Sequence, residues 1–503
     1  MNFLLTLAVT ASAFIASLTA PNGDRIPDYS RVGYRWGDKP IPTVKVVKTL
    51  QAPSDGSDAS ALLQEAIDGM NKPGAILLKA GTYNLAKSIT ISRSGIVLRG
   101  EGDGTILRAT GTAQRTLITV DNKSSRVSGD RNSMIADDYV PFGSDVLSVK
   151  NPDRFFPGDQ VVVFRPESDK WIHDIHMDRI DEAFNNYGVA VEHWKASNFR
   201  MFFERIITKI EGDKIFLDNP LPMALDSKYG RCNVATSSWD RLKEIGIENL
   251  VIESEYDPSV KITRMARRVM RTYESDERHC MSGITFKAAE HCWVRGVKSR
   301  YLGMSLVNLS GGAKNITVED CHTFHPISII EGSRRYAFMM SGNAQLCLVK
   351  ECTCEDDRHC FVTNGTTPGP NVFVNCTATG ANDDIGPHMK WGMGTLYDCV
   401  KTDWNIRVQD RGASGHGHGM AGANNVLWNC EAREYAVQSP FASAANYAIG
   451  CIGNRNGRRA IKDRPDAVWV SEGKHVEPAS LYYYQLELRR KAKIKAVPKQ
   501  CYK

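Results

Sequence analysis

The chain has 503 residues, 42% of them hydrophobic, thirteen cysteines and a formal net charge of +6. The positive surplus gathers near the end, where Arg489, Arg490, Lys491, Lys493, Lys495, Lys499 and Lys503 face only Glu487. The rest is close to neutral, which excludes a nucleic-acid footprint spread over the whole protein.

Residues 1–20 carry no charge and end in small residues, the pattern of a signal peptide, so an extracellular location is expected. No later stretch reaches the roughly 20 apolar residues that cross a bilayer, so no membrane span is expected. After Pro21 comes an irregular lead-in, then an amphipathic helix over Ala59–Met70, with Leu62, Leu63, Ala66 and Ile67 at helical spacing. Short strands follow at 75–78, 81–83, 89–91, 96–98 and 105–107, with glycine or polar turns between them.

This order of capping helix, "AILLKAGTYNL", "SITI", "GIVLRGEG" and "TILRA" resembles the opening of the pectate-lyase-like superfamily of secreted parallel β-helix proteins. The resemblance implies an all-β fold: a single-stranded right-handed parallel β-helix with an N-terminal capping helix, running over residues 21–480. It implies architecture and not substrate.

From about 145 to 235 the pattern changes to two β-rich pieces around a segment holding Trp171, His173, His176 and Trp194, which reads as an insertion beside the coil. Burial of those aromatics within the insertion is preferred over a sugar-stacking wall. From Ile245 the chain repeats itself. Aligning the repeats puts Cys321, Cys352, Cys376, Cys399, Cys430 and Cys451 in one column, separated by 21 to 31 residues, about one coil each. Such a column reads as an inward stack of small apolar thiols in preference to a metal site or a disulfide set. Sequons at Asn122, Asn308, Asn315, Asn364 and Asn375 offer glycan acceptors. A basic helix or tail closes the chain over 481–503, read as largely solvated.

A second repeating strand follows each cysteine, in the runs "PISIIEG", "RHCFVTN", "PHMKWGM" and "NIRVQDR". Alternation puts Cys360 and Val362, Met389 and Trp391, and Ile406 and Val408 inside. It turns His359, Phe361 and Thr363, His388 and Lys390, and Arg407, Gln409 and Arg411 outward on one exposed strip. Arg358 precedes the strip, and Asp383, Asp384, His416 and His418 lie in adjoining loops. No other part of the chain concentrates so many titratable groups.

Cleaving a uronic-acid polymer by β-elimination requires a partner for the carboxylate, a base and an acid. Arginine pairs bidentately with carboxylates, which fits Arg358, Arg407 and Arg411. Proton transfer suits histidine or lysine, which nominates His388 or Lys390 as base and His418 or His359 as acid. The stretch from Arg358 to Cys430 also looks like a group of secreted bacterial β-helix proteins labelled lyase-like, a match covering most of 145–490. An acidic polysaccharide is therefore the expected partner.

The rival reading is hydrolysis by Asp383 and Asp384. Asn382–Asp384, the Gly-His-Gly at 415–417 or 417–419, and Arg459–Lys462 are similar to three polygalacturonase motifs. The departures are the missing Asn-Thr-Asp one coil earlier and a histidine 32 or 34 residues after Asp384. A non-catalytic carbohydrate-binding shaft is the third reading. No cofactor is demanded. Calcium is an option through Asp356, Asp357, Asp383 and Asp384, against which stands simple pairing of these aspartates with Arg358 and its neighbours. His416 and His418 lack a third zinc ligand at a fixed spacing. Lyase and hydrolase divide on whether Asp383 or His388 occupies the strip.

Overall fold

A computed structural model describes residues 11–185, 188–456, 461 and 463–496. The chain winds a right-handed parallel β-helix of three strand columns. The first column pairs Val46–Leu50, Gly74–Leu78 and Ile96–Arg99, then continues through Gly246–Ser254 and Trp293–Arg300 to Val468–Val470. The second column starts at Gly81–Leu85 and Thr105–Ala109 and shares the long strands Gly246–Ser254 and Trp293–Arg300. The third runs from Ile89–Ile91 and Thr116–Val120 through Ser282–Phe286, Ser305–Leu309, Phe338–Met340 and Phe361–Thr363 to Gly386–Pro387. An Ile385 to Ile406 bridge carries this column to Asn405–Val408.

One turn explains how first and second columns stay in register. Asn249, Gly296, Asp320, Glu351, Asn375, Cys399, Asn429 and Gly450 occupy it on successive coils, all with φ between 49° and 67°. Asparagine and aspartate tolerate this left-handed backbone better than most residues. Gly450 is required twice over, because a Cβ there would meet Asn429 Oδ1 at 2.0 Å.

The following position points inward. Cys321, Cys352, Cys376, Cys430 and Cys451 fill it, each thiol donating to the carbonyl two residues before it. The predicted stack therefore holds with one correction. Cys376 aligns with Val400, and Cys399 instead takes the left-handed position, where its thiol donates to Ala479 O. The one disulfide among the described residues, Cys354–Cys360, lies outside the stack.

The helix Ser60–Asp68 caps the first coil, and the five N-terminal strands lie where alternation places them. The insertion is longer than the expected 145–235: its six-stranded sheet begins at Val127–Met134 and ends at Asn233–Ser238. Trp171 and Trp194 are buried in its own core, not walling a cleft. A second excursion, the antiparallel hairpin Lys261–Ala266 and Val269–Glu274, was not foreseen. The closing helix Leu481–Ala496 is not simply solvated, since Leu481, Tyr482 and Leu486 cover the apolar outer face of the first column with Tyr29 and Val32. Residues 1–10 of the expected leader, Lys499 and Lys503 of the tail, and Arg459 and Lys462 of the third polygalacturonase-like motif lie outside the described residues. Asn315 is buried and donates to backbone carbonyls, which removes it as a glycan acceptor. Among the described residues no helix is long and apolar enough to cross a membrane.

Candidate active site

Third-column alternation fails locally in two coils. Phe361 points inward, stacked on Phe338 and tilted against Phe373, while Val362 packs outside with Tyr336 and Met339. Thr363 is likewise fully buried, so Phe361 and Thr363 leave the predicted strip. In the next coil the strand is only Gly386–Pro387; Lys390 and Trp391 are left-handed, and Trp391 is buried against Trp171 of the insertion. Met389 is half-buried, not part of the interior. The third coil follows the expectation, with Ile406 and Val408 inside and Arg407 outside. The coil before Arg358 also differs: its strand is Phe338–Met340, not the run at 326–332, and this brings Tyr336 to the site.

The strip is not exposed. Asp384 and His359 are each 1% accessible, and Arg407, Gln409 and Arg411 are buried too. Asp384 accepts from Arg411 Nη1 at 2.9 Å and Arg407 Nη1 at 3.3 Å. Asp383 accepts from Arg407 Nη1 at 3.0 Å, with Arg358 Nη2 at 3.4 Å. Burial alone would push the Asp383 carboxyl up, but His359, Arg407 and Arg358 together hold it well below the usual range. Both alternatives for this coil are thus met: Asp383 and His388 lie on the same face, joined by different neighbours.

Beside the ion pairs runs a column of rings. Tyr336 and His359 lie 4.8 Å apart between centroids, His359 and His388 4.8 Å, and His388 and His418 4.7 Å. Burial first, then Arg358, lowers His359 to about 4; burial and Arg411 lower His418 to about 3. Burial and His359 put His388 well below its ordinary value, so all three rings are neutral near pH 7. His359 Nδ1 lies 2.7 Å from the Asp384 carbonyl oxygen, which assigns the proton to Nδ1 and leaves Nε2 a free lone pair. Tyr336 Oη sits 3.0 Å from His388 Nε2 and accepts from Arg358 Nη1 at 3.4 Å. Burial raises the Tyr336 pKa and keeps its hydroxyl protonated.

Arg358, Asp383, Arg407, Gln409 and Arg411 line one cavity of about 310 Å³, with Asn382, Trp404, Ser414 and Phe184. The hairpin adds Met265, Arg267 and Arg268 to its wall, so five arginines line it with Asp383, Arg267 pairing with Asp403 and Arg268 with Glu434. His359, His388 and Tyr336 sit behind this surface. Lys390 and His416 do not line it; Lys390 donates its backbone N–H to His418 O, and the His416 carbonyl accepts from Glu192 N. Tyr336, Trp404 and the hairpin arginines were missed. Placing "RRYAFMM" in the column would have found Tyr336, whereas nothing in local spacing brings Arg267 or Arg268 here.

His359, Asp383 and Asp384 offer ligand atoms within 4.8 Å of one another. Their carboxylates already face three guanidinium groups, a field that opposes a bound cation. The wider calcium set does not form. Asp356 pairs with Arg271 and Arg335, and burial raises Asp357 to about 8, leaving it protonated near pH 7.

No family model and no curated protein sequence matches the chain. Among solved structures it is similar to a polygalacturonase from Erwinia carotovora, at 9% identity and TM-score 0.41, covering 86% of this chain and 96% of that one. It is also similar to an alginate lyase from Paenibacillus, at 10% identity and TM-score 0.39, covering 86% and 100%. A tailspike of Pseudomonas phage LKA1 gives 12% identity and TM-score 0.37, covering 83% and 74%. The likeness is one of fold.

Proposed function

We propose that the protein acts on an acidic polysaccharide, cleaving it by β-elimination beside a uronate held in the arginine cavity. The observation that carries this reading is the convergence of five arginines on that cavity, where they outnumber the carboxylates they pair with, Asp383, Asp384, Asp403 and Glu434. Arg358, Arg407 and Arg411 pair with the sugar carboxylate and make the adjacent C–H more acidic. His359, neutral and with Nε2 unpartnered 3.9 Å behind the Asp383 carboxylate, takes that proton once the bound sugar displaces Asp383 from the cavity wall. The carbanion's electron pair forms the new double bond as the glycosidic C–O bond breaks, and the Tyr336 hydroxyl, held by His388 and Arg358, protonates the departing oxygen. In this scheme His388 positions Tyr336, and His418 continues the neutral ring column.

The hydrolytic alternative requires one carboxyl that stays protonated to act as acid. Asp383 is held ionised and Asp384 is engaged by two arginines, which argues against it. The polygalacturonase, alginate lyase and tailspike likenesses accord with a polysaccharide partner without selecting a reaction.

The test is ultraviolet absorbance of the unsaturated product on a panel of uronate polymers, run beside a reducing-end assay, with and without chelator. A rise in absorbance, retained in chelator and reduced about 10²- to 10⁴-fold in His359→Gln and Tyr336→Phe, is expected. New reducing ends without absorbance would establish hydrolysis instead.

A further inference from the structure

A second cavity, about 520 Å³, adjoins the arginine cavity on its N-terminal side. Its floor comes from one turn repeated on successive coils. Tyr301, His325 and Asp356 take left-handed conformations there, with φ of 66°, 51° and 59°. A bulky residue in that region is costly unless its surroundings impose it, and two aromatic rings on adjacent coils both do so. Tyr256 lies 5.2 Å from Tyr301 between ring centroids and donates to Glu274 Oε2 at 2.9 Å.

The two cavities share a wall. The base of the hairpin gives Tyr273 and Glu274 to this one, while its tip gives Arg267 and Arg268 to the other. Between them Arg271 Nη1 donates to Asp356 Oδ1 at 3.2 Å and to Asn382 Oδ1 at 3.3 Å. Their chemistry differs. In the second cavity Lys261 and Arg335 are balanced by Glu274 and Asp356, leaving rings and hydrogen-bonding groups with no net charge.

We propose that this second cavity binds an uncharged sugar unit of the same chain whose uronate sits among the arginines. It rests on the uronate reading above and narrows it: the substrate is a heteropolymer, with neutral and acidic units alternating or interspersed. From His325 to the Asp383 coil is two coils, roughly 10 Å at the strand spacing, about the length of two linked sugar rings. Tyr256 and Tyr301 stack on the sugar face, and Glu274 accepts from its hydroxyls.

The experiment compares wild type with Tyr301→Asn, which keeps a left-handed-tolerant residue, with Tyr256→Ala, and with Arg407→Gln. Calorimetric titration uses uncharged xylo-, gluco-, manno- and galacto-oligosaccharides, and kinetics use uronate homopolymers and neutral–uronate heteropolymers. At least one neutral oligosaccharide should bind wild type and Arg407→Gln, and bind Tyr301→Asn and Tyr256→Ala roughly tenfold more weakly. KM should rise similarly in the tyrosine variants on heteropolymers and stay unchanged on homopolymers. If no neutral oligosaccharide binds, or the tyrosine variants match wild type on heteropolymers, the inference is overturned even where uronate cleavage stands. If neutral oligosaccharides bind through Tyr301 while no uronate polymer binds, the uronate reading and the heteropolymer fail together, and the sugar site remains.

Discussion

Acidification should unfold this protein through its ring column. In the native state His359 titrates near 4 and His418 near 3, against about 6.5 for an unfolded histidine. Both native values are depressed, so their contribution is full above pH 6.5 and drains away as pH falls towards 4 and 3, while the unfolded chain alone takes up protons. At pH 5 each has lost about 1.5 pH units' worth, roughly 2 kcal/mol at 1.36 kcal/mol per unit, so the pair costs about 4 kcal/mol. That is a large share of a stability on the order of 5–15 kcal/mol. His388, depressed for the same reason, adds in the same direction. Thermal unfolding between pH 7.5 and 4.5, in wild type and in His418→Gln, measures it. The midpoint should fall steeply below pH 6.5 in wild type, and less steeply in the variant. A midpoint that is flat to pH 5, or an equal slope in the variant, would refute the neutral-column assignment.

Replacing Asp384 by Asn strands the buried Arg411 without its counter-charge, while Arg407 keeps Asp383, and should cost about 3–5 kcal/mol in denaturant unfolding. Asp357→Asn should act oppositely. The native carboxyl titrates near 8 against about 3.9 unfolded, so it penalises the fold increasingly as pH rises from 4 to 8, and the amide variant should unfold at higher temperature at pH 7 than at pH 4 relative to wild type. Reducing Cys354–Cys360, or Cys354→Ser with Cys360→Ser, frees the loop carrying Arg358 and His359; a stability loss of about 2 kcal/mol and a fall in kcat are expected from calorimetry and rate assays. Affinity for uronate oligomers should fall with added salt, and Arg407→Gln should flatten that dependence in a titration series.

What could be read in advance follows the backbone. Ile406 and Val408 sort correctly because Asn405–Val408 is a true ladder strand flanked by ordinary turns. Cys360 misled the preceding coil, since it sits at the corner before the strand and bonds Cys354, shifting Phe361 inward by one position. Trp391 misled the next, because an apolar residue satisfies either of two cores and its partner, Trp171, lies 220 positions earlier inside the insertion. Cys399 differs from its column by one residue for a reason periodicity does not contain, the left-handed turn that Val400 follows. The candidate site was legible as a cluster of residue types. Its burial, its tyrosine and its hairpin wall arise from long-range packing and were not.

The left-handed turn between the first two columns has a further consequence for how such a chain changes over time. That corner is fixed on coil after coil by one residue whose neighbours above and below share its backbone shape. The chain leaves the coil instead at the corners on either side of the third column, after it for the 127–238 insertion and before it for the 261–274 hairpin. Length can therefore be added or exchanged at those corners while the shaft keeps its pitch, so the pocket is free to be rewritten by loops that the scaffold does not have to notice.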